Sequence, residues 1–372
     1  MSVPVEKKPF IAIACGGTGG HLFPGIAVAE ELRKHGCKIL LLLSSKEIDL
    51  KAVQWHVLNN PQNYFQKWHL PAVGLQNRNY YSFLKSFLQS YKTSRILFRG
   101  EKPDAVLAMG GFTSAPPVLA ARKFGAKTFL HESNTIPGKA NRFLSRFVNE
   151  AFIGFPEAAS RLKAGKISVT GTPVRPQFST ATNDAARCRA ALGLDPNLPT
   201  ILIVGGSQGA RGLNDLILSA LPLLKEKKWQ WLHLTGEADF EKVKSFYAAQ
   251  NLKAMVKPFF EEMDLALGAA TACVSRAGAS SLAEMAAMRL PSALVPLPTA
   301  ADNHQFFNAT AFDKTGAARL MEQDSSPEKV ATVLSELVEN EDSRSKLQSA
   351  LAQWHSPNAA KEIAGRILES LK

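Results

Sequence analysis

The sequence predicts an α/β protein built as two similar domains, each a parallel β-sheet covered by helices on both faces. Three observations carry that prediction. A unit of apolar strand, glycine-rich turn and helix recurs four times, twice in each half of the chain. The chain has 372 residues, more than one ordinary hydrophobic core accommodates. The segment from Gly171 to Pro199, rich in Pro, Thr, Asn and Asp, forms a boundary between the halves. Strands alternating with helices imply parallel sheets. Each half is therefore Rossmann-like, with ligands expected at the carboxyl ends of its strands.

The first unit opens with Phe10-Ile11-Ala12-Ile13-Ala14, short, apolar and partly β-branched, which predicts a buried strand. Ile26, Ala29, Glu30 and Arg33 then fall at helical spacing, and Gly36 is a stop signal. Between them lies GGTGGH, with Gly16, Gly17, Gly19 and Gly20 crowded together. That is more glycine than a tight turn requires. It leaves backbone N–H groups uncovered at a helix N-terminus, which favours a phosphate or another anion. The spacing is neither the dinucleotide fingerprint, since Leu22 stands where its last glycine should be, nor a P-loop, since no lysine follows. The second unit is DAVLAMGGFTSAPPVLAAR, from Asp104 to Arg122. The third runs from the strand Thr200–Val204 through GGSQGARGLND, with Leu213, Leu216 and Leu221 beginning a helix. The fourth is TACVSRAGASSLAEMAAM, from Thr271 to Met288. A terminal helix is expected in SPNAAKEIAGRILESL, which starts with capping residues.

Composition narrows the class. Hydrophobic content of 45% and charged content of 20% fit a soluble globular protein. No uninterrupted apolar run is long enough to span a bilayer, and the charged stretch Met1 to Pro9 does not read as a secretory signal. Cys15, Cys37, Cys188 and Cys273 have neither metal-site nor disulfide-framework spacing, which predicts a reducing compartment. A net charge of +12 suggests an anionic partner: a phosphorylated substrate, an acidic membrane surface or nucleic acid. No nucleic-acid-binding module is recognisable, so nucleic acid is not expected.

The stretch from Arg78 to Arg99 contains no acidic residue. Arg78, Lys85, Lys92 and Arg99 recur every seven residues and form a stripe on a helix, beside an apolar face of Tyr80, Phe83, Leu84, Phe87, Leu88 and Tyr91. Such a helix either lies in an anionic membrane interface or packs its apolar face on the sheet with a solvated basic edge.

Taken together, GGTGGHLFPGIAVAEEL, MGGFTSAP, HESNTIPGKANR, GTPVRP, GGSQGARGLND, SRAGASSLAEMAA and DNHQFFNA, in that order, resemble the two-domain GT-B glycosyltransferases. Within them the resemblance is to the peptidoglycan N-acetylglucosaminyltransferases, and it runs from about Ile11 to the terminal helix. It implies two Rossmann-like domains facing across a cleft. Residues 1–172 would bind the acceptor and face the membrane, 173–355 would bind the donor, and 356–372 would form a terminal helix packing back toward the first domain. The implied reaction is inverting transfer of N-acetylglucosamine from UDP-N-acetylglucosamine to undecaprenyl-pyrophosphoryl-N-acetylmuramyl-pentapeptide, lipid I. The implied place is the cytoplasmic face of the cell's inner membrane, peripherally attached. Other wall-synthesis and division proteins are implied partners. No cofactor is implied, and no Asp-x-Asp metal motif occurs.

The same resemblance assigns the site. Gly206, Ser207, Gln208 and Gly209 match the turn that binds the donor pyrophosphate. Arg175 matches an arginine approaching the donor phosphates, where a guanidinium fork can also offset leaving-group charge; an interdomain ion pair is the alternative. Glu284, with Ser281 beside it, matches the carboxylate that accepts from both ribose hydroxyls; without the resemblance it would read as an acidic residue near a helix start. Phe259 and Phe260 match the stretch that meets uracil, although such a pair is more often core. Gln305 and Asn308 fall on one helix face and match the pair that reads the sugar hydroxyls. Asn134 matches a residue near the reacting sugar, and Thr18, Gly19 and Gly20 also border the donor. The acceptor pyrophosphate is assigned to Gly16, Gly17, Thr18 and Gly19, with Ser114 from the neighbouring loop. His21 is either the base that takes the acceptor hydroxyl proton or a donor that orients phosphate and turn. Glu132 is an orienter, a competing base or a buried structural carboxylate. Ser133, Thr172 and His304 depart from the family's usual glutamine, asparagine and glutamine. Ala115 and Pro117 replace usual glycines, and Pro117 removes an N–H from the acceptor loop.

Overall fold

A computed structural model describes residues 8–17, 19–45, 65–72, 79–179, 184–206 and 209–372. The chain divides into two compact units. One comprises Met1–Arg175 with Pro357–Lys372, and the other Pro176–Ser356. The predicted parallel-sheet α/β class holds in both.

The strands of the first unit are β1 (Phe10–Ala14), β2 (Lys38–Ser44), β3 (Gln66–Leu70), β4 (Ala105–Ala108), β5 (Lys127–Glu132), β6 (Glu150–Ile153) and β7 (Ile167–Val169). They form one sheet in the order β3-β2-β1-β4-β5-β6-β7, every pairing parallel. Its helices are α1 (Gly19–Lys34), α2 (Tyr80–Gly100), α3 (Ala115–Arg122) and α4 (Lys139–Leu144). β1 shows why the run is continuously apolar: it is central and covered on both faces. Ile11 and Ile13 pack with Leu22, Ile26 and Leu32 of α1. Phe10, Ala12 and Ala14 pack on the opposite side with Phe98 of α2 and Val118 of α3.

The second unit carries α5 (Pro176–Ser179), α6 (Ala185–Ala191), β8 (Thr200–Val204), α7 (Arg211–Leu224), β9 (Gln230–Leu234), α8 (Phe240–Ala249), β10 (Ala254–Lys257), α9 (Met263–Ala269), β11 (Ala272–Ser275), α10 (Ala279–Met288), β12 (Ser292–Leu294), α11 (His304–Lys314), β13 (Arg319–Leu320), α12 (Pro327–Glu339) and α13 (Glu341–Trp354). Its sheet order, β10-β9-β8-β11-β12-β13, repeats that of the first six strands of the other unit, again all parallel. In both sheets the strand order reverses beside the first strand, and the carboxyl ends at that reversal are where open α/β sheets bind ligands. The glycine turns after β1 and β8 lie there.

The last helix, α14 (Ala359–Glu369), belongs to the first unit. Ile363, Ala364 and Ile367 enter the same core layer as α1. Arg366 reaches Glu150 of β6 at 3.4 Å, and Glu150 also accepts from Ser168 Oγ at 2.7 Å.

The basic helix α2 inverts the usual arrangement. Asn79 caps it, accepting from Ser82 N–H at 3.0 Å. Its buried face is Ser86, Ser90 and Ser94, small residues at i, i+4 spacing that let it lie close on α3, followed by Phe98 in the core. Phe87 and Tyr91 pack at the edge of the core, and Phe83 is half-buried. Tyr80, Tyr81, Leu84, Leu88 and Ile96 are exposed, as are Lys85, Lys92 and Arg99. The apolar face expected as a single stripe is thus split between the core and the solvent side; Arg78 lies outside the described residues. Among those residues no helix is long and apolar enough to cross a membrane.

Candidate active site

In the first unit, the turn after β1 is shaped by packing. A Cβ on Gly16 would lie 2.2 Å from the Ser44 nitrogen at the end of β2. Gly17 has φ +114°, in the left-handed region. Both are buried, whereas Gly19 and Gly20 begin α1 and are more open. Thr18 lies outside the described residues. The loop after β4 braces this turn: Thr113 Oγ1 donates to Gly16 O at 2.6 Å, and Ser114 Oγ donates to Gly110 O at 2.6 Å and Ala14 O at 3.3 Å. Ser114 Oγ also accepts from Gly110 N–H at 3.1 Å and is fully buried, so its hydroxyl serves the loop. Ala115, Pro116 and Pro117 are the first residues of α3. Proline fits there because first-turn N–H groups have no intrahelical partner. The pair leaves that helix with two fewer amides to offer an anion.

His21 is half-buried and lies over the same loop. A Cβ on Gly110 would sit 2.9 Å from its Nε2, and one on Gly111 would sit 3.1 Å from its Nδ1. Both glycines have positive φ, +109° and +76°. Two bare backbone positions therefore make room for the imidazole.

Glu132, at the end of β5, is buried and holds the following loop together. Its Oε1 accepts from Asn134 N–H at 2.8 Å and Asn134 Nδ2 at 2.9 Å; its Oε2 accepts from Gly138 N–H and Asn141 Nδ2, each at 2.9 Å. Four donors fill the acceptor capacity of a carboxylate, which favours the structural alternative over a free base. Neither Asn141 nor His131 was singled out by the sequence. Asn141 Nδ2 also donates to His131 O at 3.1 Å. His131 Nε2–H donates to Gly171 O at 3.0 Å, and its Nδ1 accepts from Ser133 Oγ at 3.3 Å. Burial, aided by nearby His21, outweighs the hydrogen bond to Gly171 O and lowers the His131 pKa to about 4. Arg175, the last residue of the unit, is buried with its guanidinium carbon 4.0 Å from the centre of the Phe23 ring on α1.

The turn after β8 is built differently. Gly206 has φ +99°, and a Cβ there would meet nothing within 4 Å. Gly209 has φ +75°, and its Cβ would lie 2.6 Å from Thr235 O. Ser207 and Gln208 lie outside the described residues. α7 follows with no side-chain cap at Ala210, the condition under which a helix N-terminus takes an anion. Beneath the turn, Asn214 Nδ2 donates to Thr235 O at 3.0 Å and Asp239 Oδ2 at 2.9 Å. Asn214 Oδ1 accepts from His233 Nε2–H at 3.0 Å, and His233 Nδ1 accepts from Tyr247 Oη at 3.2 Å. Burial lowers the His233 pKa to about 3. The charge pattern of the sequence gave no sign of this network.

The other donor-site candidates of this unit follow β10, β11 and β12. Phe259 is 53% exposed and Phe260 half-buried, so the pair is not core. Ser281 and Glu284 lie on successive turns of α10 and are half-buried. Gln305 and Asn308 share one face of α11 as expected. Gln305 Oε1 accepts from Leu297 N–H at 2.9 Å, so what Gln305 offers a ligand is N–H donors. Asn308 is fully buried, and its Nδ2 donates to Ala277 O at 3.1 Å.

The description "Glycosyltransferase family 28 N-terminal domain" matches residues 11–153, and "Glycosyltransferase family 28 C-terminal domain" matches residues 200–364. Among curated proteins, the UDP-N-acetylglucosamine–N-acetylmuramyl-(pentapeptide) pyrophosphoryl-undecaprenol N-acetylglucosamine transferase of Bacillus subtilis is 34% identical over 97% of this chain and 99% of its own. The protein of the same name from Citrifermentans bemidjiense is 35% identical over 94% and 97%. The crystal structure of Acinetobacter baumannii MurG superposes with a TM-score of 0.73 at 27% identity, covering 98% of this chain and all of that one. The chain belongs to glycosyltransferase family 28 and, within it, to the MurG family of N-acetylglucosaminyltransferases with the GT-B fold.

Proposed function

We propose that this chain transfers N-acetylglucosamine from UDP-N-acetylglucosamine to the C4 hydroxyl of N-acetylmuramic acid in undecaprenyl-pyrophosphoryl-N-acetylmuramyl-pentapeptide. That step converts lipid I to lipid II in peptidoglycan synthesis. The observation that carries the reading is the 34–35% identity, over 94–97% of this chain, to transferases of that name. The uncapped start of α7 beside the open Gly206 supports a pyrophosphate there.

In this reading UDP-N-acetylglucosamine lies over the turns after β8, β10, β11 and β12. The α7 amides hold the diphosphate, Glu284 accepts from the ribose hydroxyls, and Gln305 donates to the sugar. The acceptor diphosphate lies against the turn after β1. The acceptor O4 attacks the anomeric carbon as the bond from that carbon to the UDP oxygen breaks, which inverts the configuration. His21 takes the O4 proton, its ring set by Gly110 and Gly111. Arg175, stacked on Phe23, offsets the charge that collects on the departing UDP.

A polyprenyl-linked acceptor stays in the bilayer, so the enzyme must meet it there. The exposed face of α2, where Tyr81, Leu84 and Leu88 alternate with Lys85 and Lys92, suits peripheral attachment to the anionic cytoplasmic leaflet of the inner membrane.

The deciding experiment measures UDP release from UDP-N-acetylglucosamine, with and without a short-chain lipid I analogue, in the presence of chelator. Acceptor-dependent release with a β-1,4-linked product is expected, and His21→Ala and Glu284→Ala should each reduce it by about a hundredfold or more. Release without acceptor would point to epimerase or hydrolase chemistry. UDP binding without release would leave the donor site standing and remove the acceptor assignment.

A further inference from the structure

Arg276 follows β11 at the carboxyl edge of the second sheet and is buried, 6% exposed. Its Nη1 donates to Val295 O and Pro296 O, both at 3.1 Å, and its Nη2 donates to Gln323 Oε1 at 2.5 Å. Its Nε makes no hydrogen bond among the described residues, and no carboxylate among them pairs with it. Neutral oxygens alone hold this guanidinium, so its position depends on their placement. Gln323 is one of them, and it has a second contact. Its amide rests on Gly212, the second residue of α7. A Cβ on Gly212 would lie 2.4 Å from the amide carbon, 2.5 Å from Oε1 and 2.6 Å from Nε2.

The groups that Arg276 holds are those that carry the sugar-reading side chains. Leu297, next to Pro296, binds Gln305, and Ala277, next to Arg276, binds Asn308. A continuous path therefore runs from the start of α7 through Gly212, Gln323 and Arg276 to the segments 276–277 and 295–297. We propose that Gln323 is a positioning residue that sets donor selectivity by fixing the sugar-reading segments relative to the phosphate-binding helix. It touches neither the phosphate nor the sugar itself. The inference rests on the donor assignment of the proposed function.

Two variants reach the same contact from opposite sides. Gln323→Ala removes the amide. Gly212→Ala displaces it with a methyl group, and the helical position accepts alanine without backbone strain. UDP alone needs the helix and the base and ribose contacts, so its inhibition constant should change less than twofold in Gln323→Ala. UDP-N-acetylglucosamine also needs the sugar segments. Its KM should rise about fivefold and kcat fall about tenfold, and the preference over UDP-N-acetylgalactosamine, the C4 epimer, should fall about tenfold. The double variant should match the singles, because both break one contact. Gln323→Glu keeps an acceptor for Nη2 and should restore the preference. A merely structural role would lower Tm and the active fraction while leaving KM and the epimer preference unchanged. That result, or losses that add in the double variant, would overturn the inference. Gln305→Ala and Asn308→Ala in the same assay test the donor assignment. If they lower the epimer preference while Gln323→Ala does not, only the role of Gln323 falls; if none of the three does, the sugar site and the inference fall together.

Discussion

The two units begin their sheets with turns of nearly the same composition that do different work. After β1, Gly16 is pressed against the end of β2, Gly17 adopts a left-handed conformation, and the loop after β4 is hydrogen-bonded onto both turn and strand. After β8, Gly206 faces open space, and the helix that follows has no side-chain cap. Both turns hold glycines by close packing, Gly16 in one and Gly205 and Gly209 in the other, but only the second also keeps a glycine, Gly206, facing open space. Glycine enrichment at a strand-to-helix turn therefore identifies an anion site only when the positions facing outward are known.

The largest expected effect tests this contrast directly. Gly16→Ala places a methyl group into the backbone of β2, where relaxation is not available, and should destabilise the first unit by roughly 3 kcal/mol or more. Gly206→Ala meets only the strain of a positive φ, about 1–2 kcal/mol, and should leave a folded protein with weakened UDP binding. Thermal melts of the two variants beside UDP titrations check this. Equal melting losses would show that the turns are not built differently.

The next effect tests a likeness between the units. Each buries a neutral histidine in its sheet, His131 in β5 with a pKa near 4 and His233 in β9 with a pKa near 3. Both native values lie below the unfolded value of about 6.5. The unfolded chain therefore binds protons that the native chain does not. Stability is full above pH 6.5 and falls as the pH drops toward 4 for the first unit and 3 for the second, by about 2 kcal/mol per histidine at pH 5. Urea denaturation at pH 7 and pH 5, followed by hydrogen exchange in each sheet, should show both units losing stability. A flat profile in one would mean that its histidine is protonated without cost.

The smallest effect on stability separates the units again. Replacing Tyr81, Leu84 and Leu88 together by serine removes exposed side chains only, and each change should shift stability by no more than about 0.5 kcal/mol. Binding to vesicles containing anionic lipid should nevertheless fall severalfold, with the KM for UDP-N-acetylglucosamine unchanged when acceptor is supplied in detergent. Unaltered vesicle binding would remove α2 from the membrane-facing surface.

The fold was legible wherever the signal is local. The runs Phe10–Ala14 and Thr200–Val204 are central strands because continuous burial leaves them no polar face, and the glycine turns mark their carboxyl ends. The identity of the outward positions was not legible. Gly16 is constrained by Ser44, a residue distant in sequence, and the Ser114 hydroxyl turns inward to Ala14 and Gly110. For α2, the helical periodicity was visible, but three serines form the buried face, which no hydrophobicity pattern marks. In the candidate site, Glu284 and Gln305 could be located through motifs. Asn141, His233 and Arg276 could not be picked out, because their roles come from partners on other elements rather than from spacing along the chain.

The placement of α14 also bears on how the protein is made. Its isoleucines complete the core layer over α1, yet the ribosome delivers them only after the whole second unit. During synthesis the nascent first unit carries an uncovered apolar strip along α1 until α14 arrives, whereas the core residues of the second unit are all delivered before it. The order of translation and the order of completion are thereby reversed: the N-terminal unit matures last, and its closing segment is the one most easily lost to early termination.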